Sequence, residues 1–233
     1  MILTRVHPGP AVSVDGAEAG SRDQLLEWYR PGSADWVRLN LVMSVNGSAA
    51  GPDGTSESLT NAADRRILGV IRELSDAVLI GAESVRAEGY QVPRRAKLAI
   101  ITSSGDLSGH RLDPELASQV IIVCPDSAAQ RSAESVPGAL VLVAPDDAGR
   151  ISPAHTVAVL RDAGCRSIAC EGGPSIARAF LDSGVVDDIC LTVSPVIRDA
   201  SLPVFGSPLG DHPVSLRHIL TDDDGFLFTR WAC

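Results

Sequence analysis

The sequence is poor in lysine, in aromatic residues and in the short motifs of the commonest catalytic sites. Of its 20 Lys and Arg residues only Lys97 is lysine. A lysine Schiff base or a P-loop lysine therefore has almost no candidate, and any phosphate must be met by arginine and backbone amides. GxxxxGK[ST], HExxH and GxSxG are all missing, and no GxGxxG follows a strand, which disfavours a Rossmann dinucleotide domain. The 5 histidines (7, 110, 155, 212 and 218) are scattered, with no pair at helical metal-ligand spacing, so no metal site is expected. The HxE and PCxxC pattern of zinc deaminases is absent. No basic run appears, and a net charge of -9 argues against a nucleic-acid partner. No apolar run reaches membrane-spanning length. The start, MILTRVHPGP, is broken by prolines and does not read as a secretory signal. Among the 5 cysteines (Cys124, Cys165, Cys170, Cys190 and Cys233) there is no CxxC. An odd count without a signal sequence points to reduced thiols and a cytoplasmic location. Aromatics make up 4% of the chain, so the core must rest on Val, Ile, Leu and Ala.

What is present is an α/β pattern. At 233 residues the chain suits one large domain. Residues 1–34, rich in Gly, Pro and Ala, read as an extension with one short amphipathic helix at Asp23–Arg30; a domain over 35–233 follows. Strand candidates are Val37–Ser44, Ala77–Ile80, Lys97–Thr102, Val120–Cys124, Leu140–Val143 and Ser167–Glu171. Most are short continuous apolar runs, as expected of strands buried on both faces of a parallel sheet. Helices alternate with them. Asn61–Leu74 starts at a Thr60 or Asn61 cap, with Asp64 in its first turn and an apolar stripe of Ile67, Leu68, Ile71 and Leu74. Ser152–Ala163 closes at Gly164, and Pro174–Asp182 closes at Gly184. The last strands, Ile189–Ile197, Leu216–Leu220 and Phe226–Trp231, have no helices between them. The turn Asp222-Asp223-Asp224-Gly225 makes an antiparallel hairpin of the final two. The expected fold is a mostly parallel sheet with an antiparallel C-terminal edge.

Chemistry concentrates at strand ends. Ser167-Ile-Ala-Cys-Glu-Gly-Gly-Pro-Ser ends a buried strand at Glu171 and opens a helix at Pro174. Gly172 and Gly173 allow close backbone approach, and the helix start suits an anion such as a pyrophosphate. The alternative is a tight turn whose glycines serve packing only. Gly81 follows a second buried strand, with Ser84, Arg86 and Glu88 on the connection beyond; read alone, that connection is a solvated loop. Thr102-Ser103-Ser104-Gly105 ends a third strand and offers hydroxyls and amides. Asn40 stands among Leu39, Leu41, Val42 and Met43. Its amide either satisfies backbone or faces a ligand.

Four ordered segments together resemble the reductase domain of bacterial riboflavin biosynthesis. They are Asn40-Leu-Val-Met-Ser-Val-Asn-Gly47, Leu59-Thr60 before a helix, Ile80-Gly-Ala-Glu-Ser-Val-Arg-Ala-Glu88, and Glu171-Gly-Gly-Pro174. The resemblance spans about Val37 to Ile197. It implies a dihydrofolate-reductase-like three-layer α/β sandwich, NADPH as hydride donor, a homodimer, and a phosphorylated pyrimidine substrate. In that family's reaction the ribosyl C1′ of 5-amino-6-(5-phosphoribosylamino)uracil or a related pyrimidine is reduced. By position it implies Glu171 and Asn40 as catalytic, and Thr60, Glu88 and Asn40 as substrate-binding. Gly81, Ser84, Thr102, Ser103, Gly172, Gly173 and Ser175 would hold NADPH. The chain departs from the family pattern where the usual Asp-Asp-Pro becomes Glu88-Gly89-Tyr90 and the usual Asp-Gly becomes Asn46-Gly47. Many bacterial members carry Lys at the position of Asn40. The alternatives are reduction of another heterocycle such as dihydrofolate, and a non-catalytic NADPH-binding module.

Overall fold

A computed structural model describes residues 1–233 except 17, 19, 53, 200 and 201, and except the side chain of Glu88. The parallel core is β3 (Trp36–Ser44), β10 (Ser167–Cys170), β4 (Ala77–Gly81), β5 (Lys97–Ile101), β6 (Val120–Cys124) and β7 (Leu140–Val143), joined side by side in that order. On its other side β3 pairs in parallel with β11 (Asp188–Ser194). Beyond β11 the sheet turns antiparallel through β13 (Leu227–Ala232), β12 (Ser215–Asp222), β1 (Ile2–His7) and β2 (Val12–Asp15). The expected parallel sheet and C-terminal hairpin are both present. Among the described residues no helix is long and apolar enough to cross a membrane.

The first 34 residues do more than extend the chain. β1 and β2 add two strands to the sheet beyond the hairpin, and helix α1 (Ser21–Tyr29) packs on helix α2 (Ala62–Glu73). The short strands Ile2–His7 and Val12–Asp15 are interrupted by Pro8, Gly9 and Pro10, which hides their period from a sequence reading. Arg66 of α2 pins the connection by donating to Gly16 O and Ser21 Oγ at 2.7 and 2.5 Å.

Alternation along the strands sorts the core into layers. Val37 and Leu39 of β3, Leu79 of β4, and Ile168 and Cys170 of β10 face α5 (Pro153–Asp162) and α6 (Pro174–Asp182). Val78 and Ile80 face the opposite way and join Leu98, Ile100 and Val85. Ala169 of β10 and Cys190 of β11 face α2, where Ile67, Val70 and Ile71 meet Leu25 and Tyr29 of α1. The expected stripe of α2 is rotated in fact. Ala63, Ile67, Val70 and Ile71 are its buried positions, whereas Leu68 lines a cleft. Asn61 caps the helix, accepting from Asp64 N at 2.9 Å, while the Thr60 hydroxyl donates to Glu57 O. Cys124, Cys165, Cys170 and Cys190 are buried, as small apolar residues would be.

A buried ion cluster fixes α1 to the sheet. Asp188, 1% exposed, accepts from Arg38 Nε at 2.8 Å, Arg230 Nε at 2.5 Å and Trp36 Nε1 at 3.0 Å. The same two guanidiniums donate to Tyr29 O, Trp28 O and Arg30 O, the orphan carbonyls at the end of α1. Burial alone would raise the Asp188 carboxyl, but Arg38 and Arg230 hold it below its usual range. Against this cluster lies His218, edge-on to Tyr29. Burial, then the charges of Arg230 and Arg38, pull its imidazole down to about 3.

Two outcomes follow for stability. Asp188→Asn leaves two buried guanidiniums without their anion, so denaturant unfolding should show a loss of about 3–5 kcal/mol. His218 is neutral in the folded chain, while the unfolded chain protonates it below about 6.5. The unfolded state therefore binds the extra proton between that value and about 3. Stability is complete above this window and is lost as pH falls through it, at no more than about 1.4 kcal/mol per unit for one proton. Unfolding midpoints against pH, compared with His218→Leu, should show that slope in the parent chain and its loss in the variant.

Candidate active site

The strand registers bring the predicted residues together. Ala169 pairs with Arg38 and Cys170 with Leu39, so Glu171 ends β10 beside Asn40. Cys190 pairs with Asn40 from the other side. Because side chains alternate, Asn40, Glu171 and Thr192 share the face covered by α2. Asp64 and Arg72 on that helix are eight residues apart, about 12 Å along its axis. Asp64 lies against Thr192 of β11, and Arg72 reaches Glu171 just past β10.

Beneath and beside α2 opens a cleft of about 730 Å³. Asn40, Thr60, Gly81, Ser84, Glu171, Gly172, Gly173 and Ser175 line it, as the sequence suggested. Thr102 and Ser103 lie outside that lining. Thr102 is buried and its Oγ accepts from Gly105 N at 3.1 Å, which closes the turn after β5, and Ser103 is exposed. Glu88 ends helix α3 (Ala82–Glu88), and its side chain falls outside the described set. The connection read as a loop after Gly81 is thus a helix. Its seven residues are too few to show a helical period.

Glu171 is held by four hydrogen bonds from three donor groups, Arg72 Nε being shared between its two oxygens. Its side chain is 7% exposed, and Arg72 grips both oxygens, Nε to Oε1 at 3.0 Å and Nη2 to Oε2 at 2.7 Å. The Tyr90 hydroxyl donates to the same Oε2. A carboxylate so engaged is an anchor, not a free base. Asn40 differs: its amide has no hydrogen-bond partner among the described residues and borders the cleft, so of its two readings the ligand-facing one has the room. Asp64 has its carboxyl pushed up by burial, against the Thr192 hydrogen bond and the charge of Arg65, which favour the anion. At the mouth, Arg65 is exposed and pairs with exposed Glu57.

The glycines answer the question left by their motif. A Cβ on Gly172 would sit 2.9 Å from Ile176 Cβ, and one on Gly81 would sit 2.8 Å from Ile176 Cδ1. Both therefore let the start of α6 settle onto the ends of β10 and β4. Gly173 meets nothing within 4 Å. Gly173 caps α6 without a side-chain hydrogen bond, and the amides of Gly173 and Ser175 have no partner among the described residues. The close packing that the glycines permit leaves open amides at the floor of the cleft, the kind of group that an anion would meet.

Asp64, Arg65, Arg72 and Tyr90 were not singled out as site residues in the sequence reading. A signal existed for three of them. Asp64, Leu68 and Arg72 follow an i, i+4, i+8 spacing beside the apolar stripe of α2, with Arg65 and Gly69 flanking, and all five line the cleft. Nothing local marks Tyr90, whose partners lie 18 and 81 residues away.

The strand ends of the parallel α/β core open into one cleft, with a helix start presenting free amides there, which is where open α/β sheets place their ligands. The chain belongs to the RibD C-terminal domain family, whose model matches residues 35–227. A 2,5-diamino-6-ribosylamino-4(3H)-pyrimidinone 5′-phosphate reductase of Methanothermobacter thermautotrophicus is 27% identical over 198 residues, 78% of this chain and 89% of that protein. The riboflavin biosynthesis protein RibD of Mycobacterium tuberculosis is 28% identical over 165 residues, 69% of this chain. The match spans 42% of that protein's length. The crystal structure of a pyrimidine reductase-like protein from Corynebacterium diphtheriae superposes with a TM-score of 0.76 at 26% identity, covering 91% of this chain and 98% of that one. The dihydrofolate-reductase-like fold expected from the resemblance is the fold observed.

Gly172→Ala should lower stability by about 1–3 kcal/mol through overpacking against Ile176. The added methyl meets a Cβ, not a flexible tip. Adding Ile176→Ala keeps that Cβ but removes Cγ2 and Cδ1, which would stand 2.9 and 3.0 Å from the added methyl, and should recover part of the loss relative to the sum of the single changes. Chemical unfolding of the four chains of this double-mutant cycle measures it.

Proposed function

We propose that this chain is an NADPH-dependent reductase that transfers hydride to the ribosyl C1′ of 5-amino-6-(5-phosphoribosylamino)uracil or a related phosphorylated pyrimidine. The observation that carries the reading is one face of the sheet beneath α2. There an unpartnered amide (Asn40), a carboxyl kept from ionising easily (Asp64) and an anchored carboxylate (Glu171) border the same cleft as the open amides of α6. We assign the domain to 35–233, with 1–34 an addition to its sheet, and propose a homodimer on the family resemblance and a cytoplasmic location on the odd cysteine count without a signal sequence.

The residues present fit a dinucleotide. The amides of Gly173 and Ser175 and the dipole of α6 suit its pyrophosphate, and Gly81, Ser84 and Gly172 line the approach. Thr102 and Ser103 end the strand beyond β4 and would meet only its distal end. When bound, the cofactor supplies the hydride. The protein supplies position and one proton. The C1′–O4′ bond opens, the exocyclic N–H proton passes overall to O4′, and C1′ becomes an imine carbon. One hydride on C1′ and one proton on nitrogen complete the reduction. Asp64 is the group placed to deliver that proton, because burial favours its protonated form. Asn40 orients the substrate from the middle of the face. Thr60 and Glu88 are the remaining candidates for substrate contacts. Arg65, at the mouth, takes the substrate phosphate in exchange for its exposed pairing with Glu57, a contact of little cost to break.

Absorbance of the reduced nicotinamide, followed with enzyme, NADPH or NADH and each candidate pyrimidine or pterin, tests the reading. Turnover of the phosphoribosylaminopyrimidine with NADPH is expected. Tight NADPH binding without oxidation by any of them would indicate a binding module. Arg65→Gln should raise KM for the phosphorylated substrate by about tenfold or more with kcat changed far less, as loss of binding shared by ground and transition states requires. A proton donor must be protonated, so kcat should fall as pH rises through the Asp64 pKa. In Asp64→Asn, kcat should be lower and that basic limb should disappear.

A further inference from the structure

Tyr90 stands where the chain departs most from the pattern it resembles, and the reaction as derived makes no use of it. Gly89, at φ 60, ends α3 in the left-handed region and redirects the chain. The Tyr90 ring then packs against the layer that holds Val85 and Leu98. Its hydroxyl crosses to α2 and the end of β10, where Arg72 Nη2 donates to it at 2.5 Å and it donates to Glu171 Oε2. The Arg72 guanidinium also lies over the ring, 5.1 Å from its centroid.

We propose that Tyr90 is a positioning residue for the reductase reaction: its hydroxyl, accepting from Arg72 and donating to Glu171, fixes the carboxylate that borders the reacting site. This rests on the reductase reading above. The chemistry that distinguishes it from packing is the single phenolic proton. A carboxylate has about four acceptor positions. Arg72 Nε, shared between the two oxygens, and Arg72 Nη2 face two of those of Glu171, and Tyr90 faces a third. One remains for an N–H or O–H of a bound ligand, and its direction is set because the other three are filled. Burial, then the Glu171 charge, raises the Tyr90 hydroxyl well above its usual range, so the phenol keeps the proton that it donates. Phenylalanine at this position would keep the ring, its packing and its contact with Arg72, and lose only the hydroxyl.

The test combines kinetics with a readout that needs no turnover. Tyr90→Phe should lower kcat about tenfold, the scale of one lost hydrogen bond to a charged group, with KM for NADPH within about twofold. Wild-type kcat in Tyr90→Phe would overturn the proposal. The chain has 2 tyrosines, so tyrosinate absorbance can be followed to each. Glu171→Gln should bring one tyrosine's ionisation to lower pH, and adding Tyr90→Phe should remove that transition. An unchanged tyrosinate titration in Glu171→Gln would show that the contact is absent in solution and would also overturn the proposal. The two readings fail separately. A wild-type chain that shows the tyrosinate response but oxidises no NADPH sinks the reductase reading, whereas an active one with unaltered Tyr90→Phe kinetics sinks this proposal alone.

Discussion

The contact between Arg72 and Glu171 is the interaction on which the cleft depends. A carboxylate that is 7% exposed is costly unless it is paired and hydrogen-bonded. Here the guanidinium fork meets both of its oxygens, and because the two residues belong to α2 and the end of β10, their pairing fixes the helix over the strand ends. The position of α2 then fixes the rest. It sets Asp64 against Thr192, leaves Asn40 uncovered between the two contacts, and turns Leu68 and Gly69 to the cleft wall. Removing either member of the pair would leave its partner unsatisfied at the centre of the site.

The same face of the sheet carries a second ion cluster, and the contrast is instructive. Arg38, Asp188 and Arg230 lie toward the amino end of β3 and the start of β11, shut away from water. Their remaining donors are spent on the carbonyls that end α1. That cluster joins α1 to the sheet and takes no part in lining the cleft beside α2. Two residues further along β3, at Asn40, the face opens, and polar groups there have room for something other than protein. One strand thus passes from a closed structural network to an open chemical one.

Much of this was legible in the sequence. The apolar run Val120–Cys124 reads correctly because burial on both faces leaves no polar alternation to confuse it; Leu140–Val143 reads as a strand from its apolar run alone, although at the sheet edge Leu140 and Val143 are exposed. The strand-end motifs at Gly81 and Glu171 led to the cleft because open α/β sheets place ligands there, whereas Thr102 and Ser103 only close a turn. What stayed hidden was of two kinds. Elements too short to show a period, such as α3 and the first two strands, read as loop or extension. Partnerships across long stretches of chain had no local mark. Tyr90 meets Glu171, and Arg38 meets Asp188, only after the registers of several strands are set. The spacing of Asp64, Leu68 and Arg72 was present but was masked by the stronger apolar stripe next to it.

The most direct measurement of the account is a crystal structure of the chain with NADP and the phosphorylated pyrimidine bound together. The account predicts the pyrophosphate on the amides of Gly173 and Ser175, with the ribosyl carbon and the nicotinamide facing one another over Asn40 while Arg72 still grips Glu171. A dinucleotide seated on another surface, or the two ligands held in separate places with Asn40 touching neither, would contradict it.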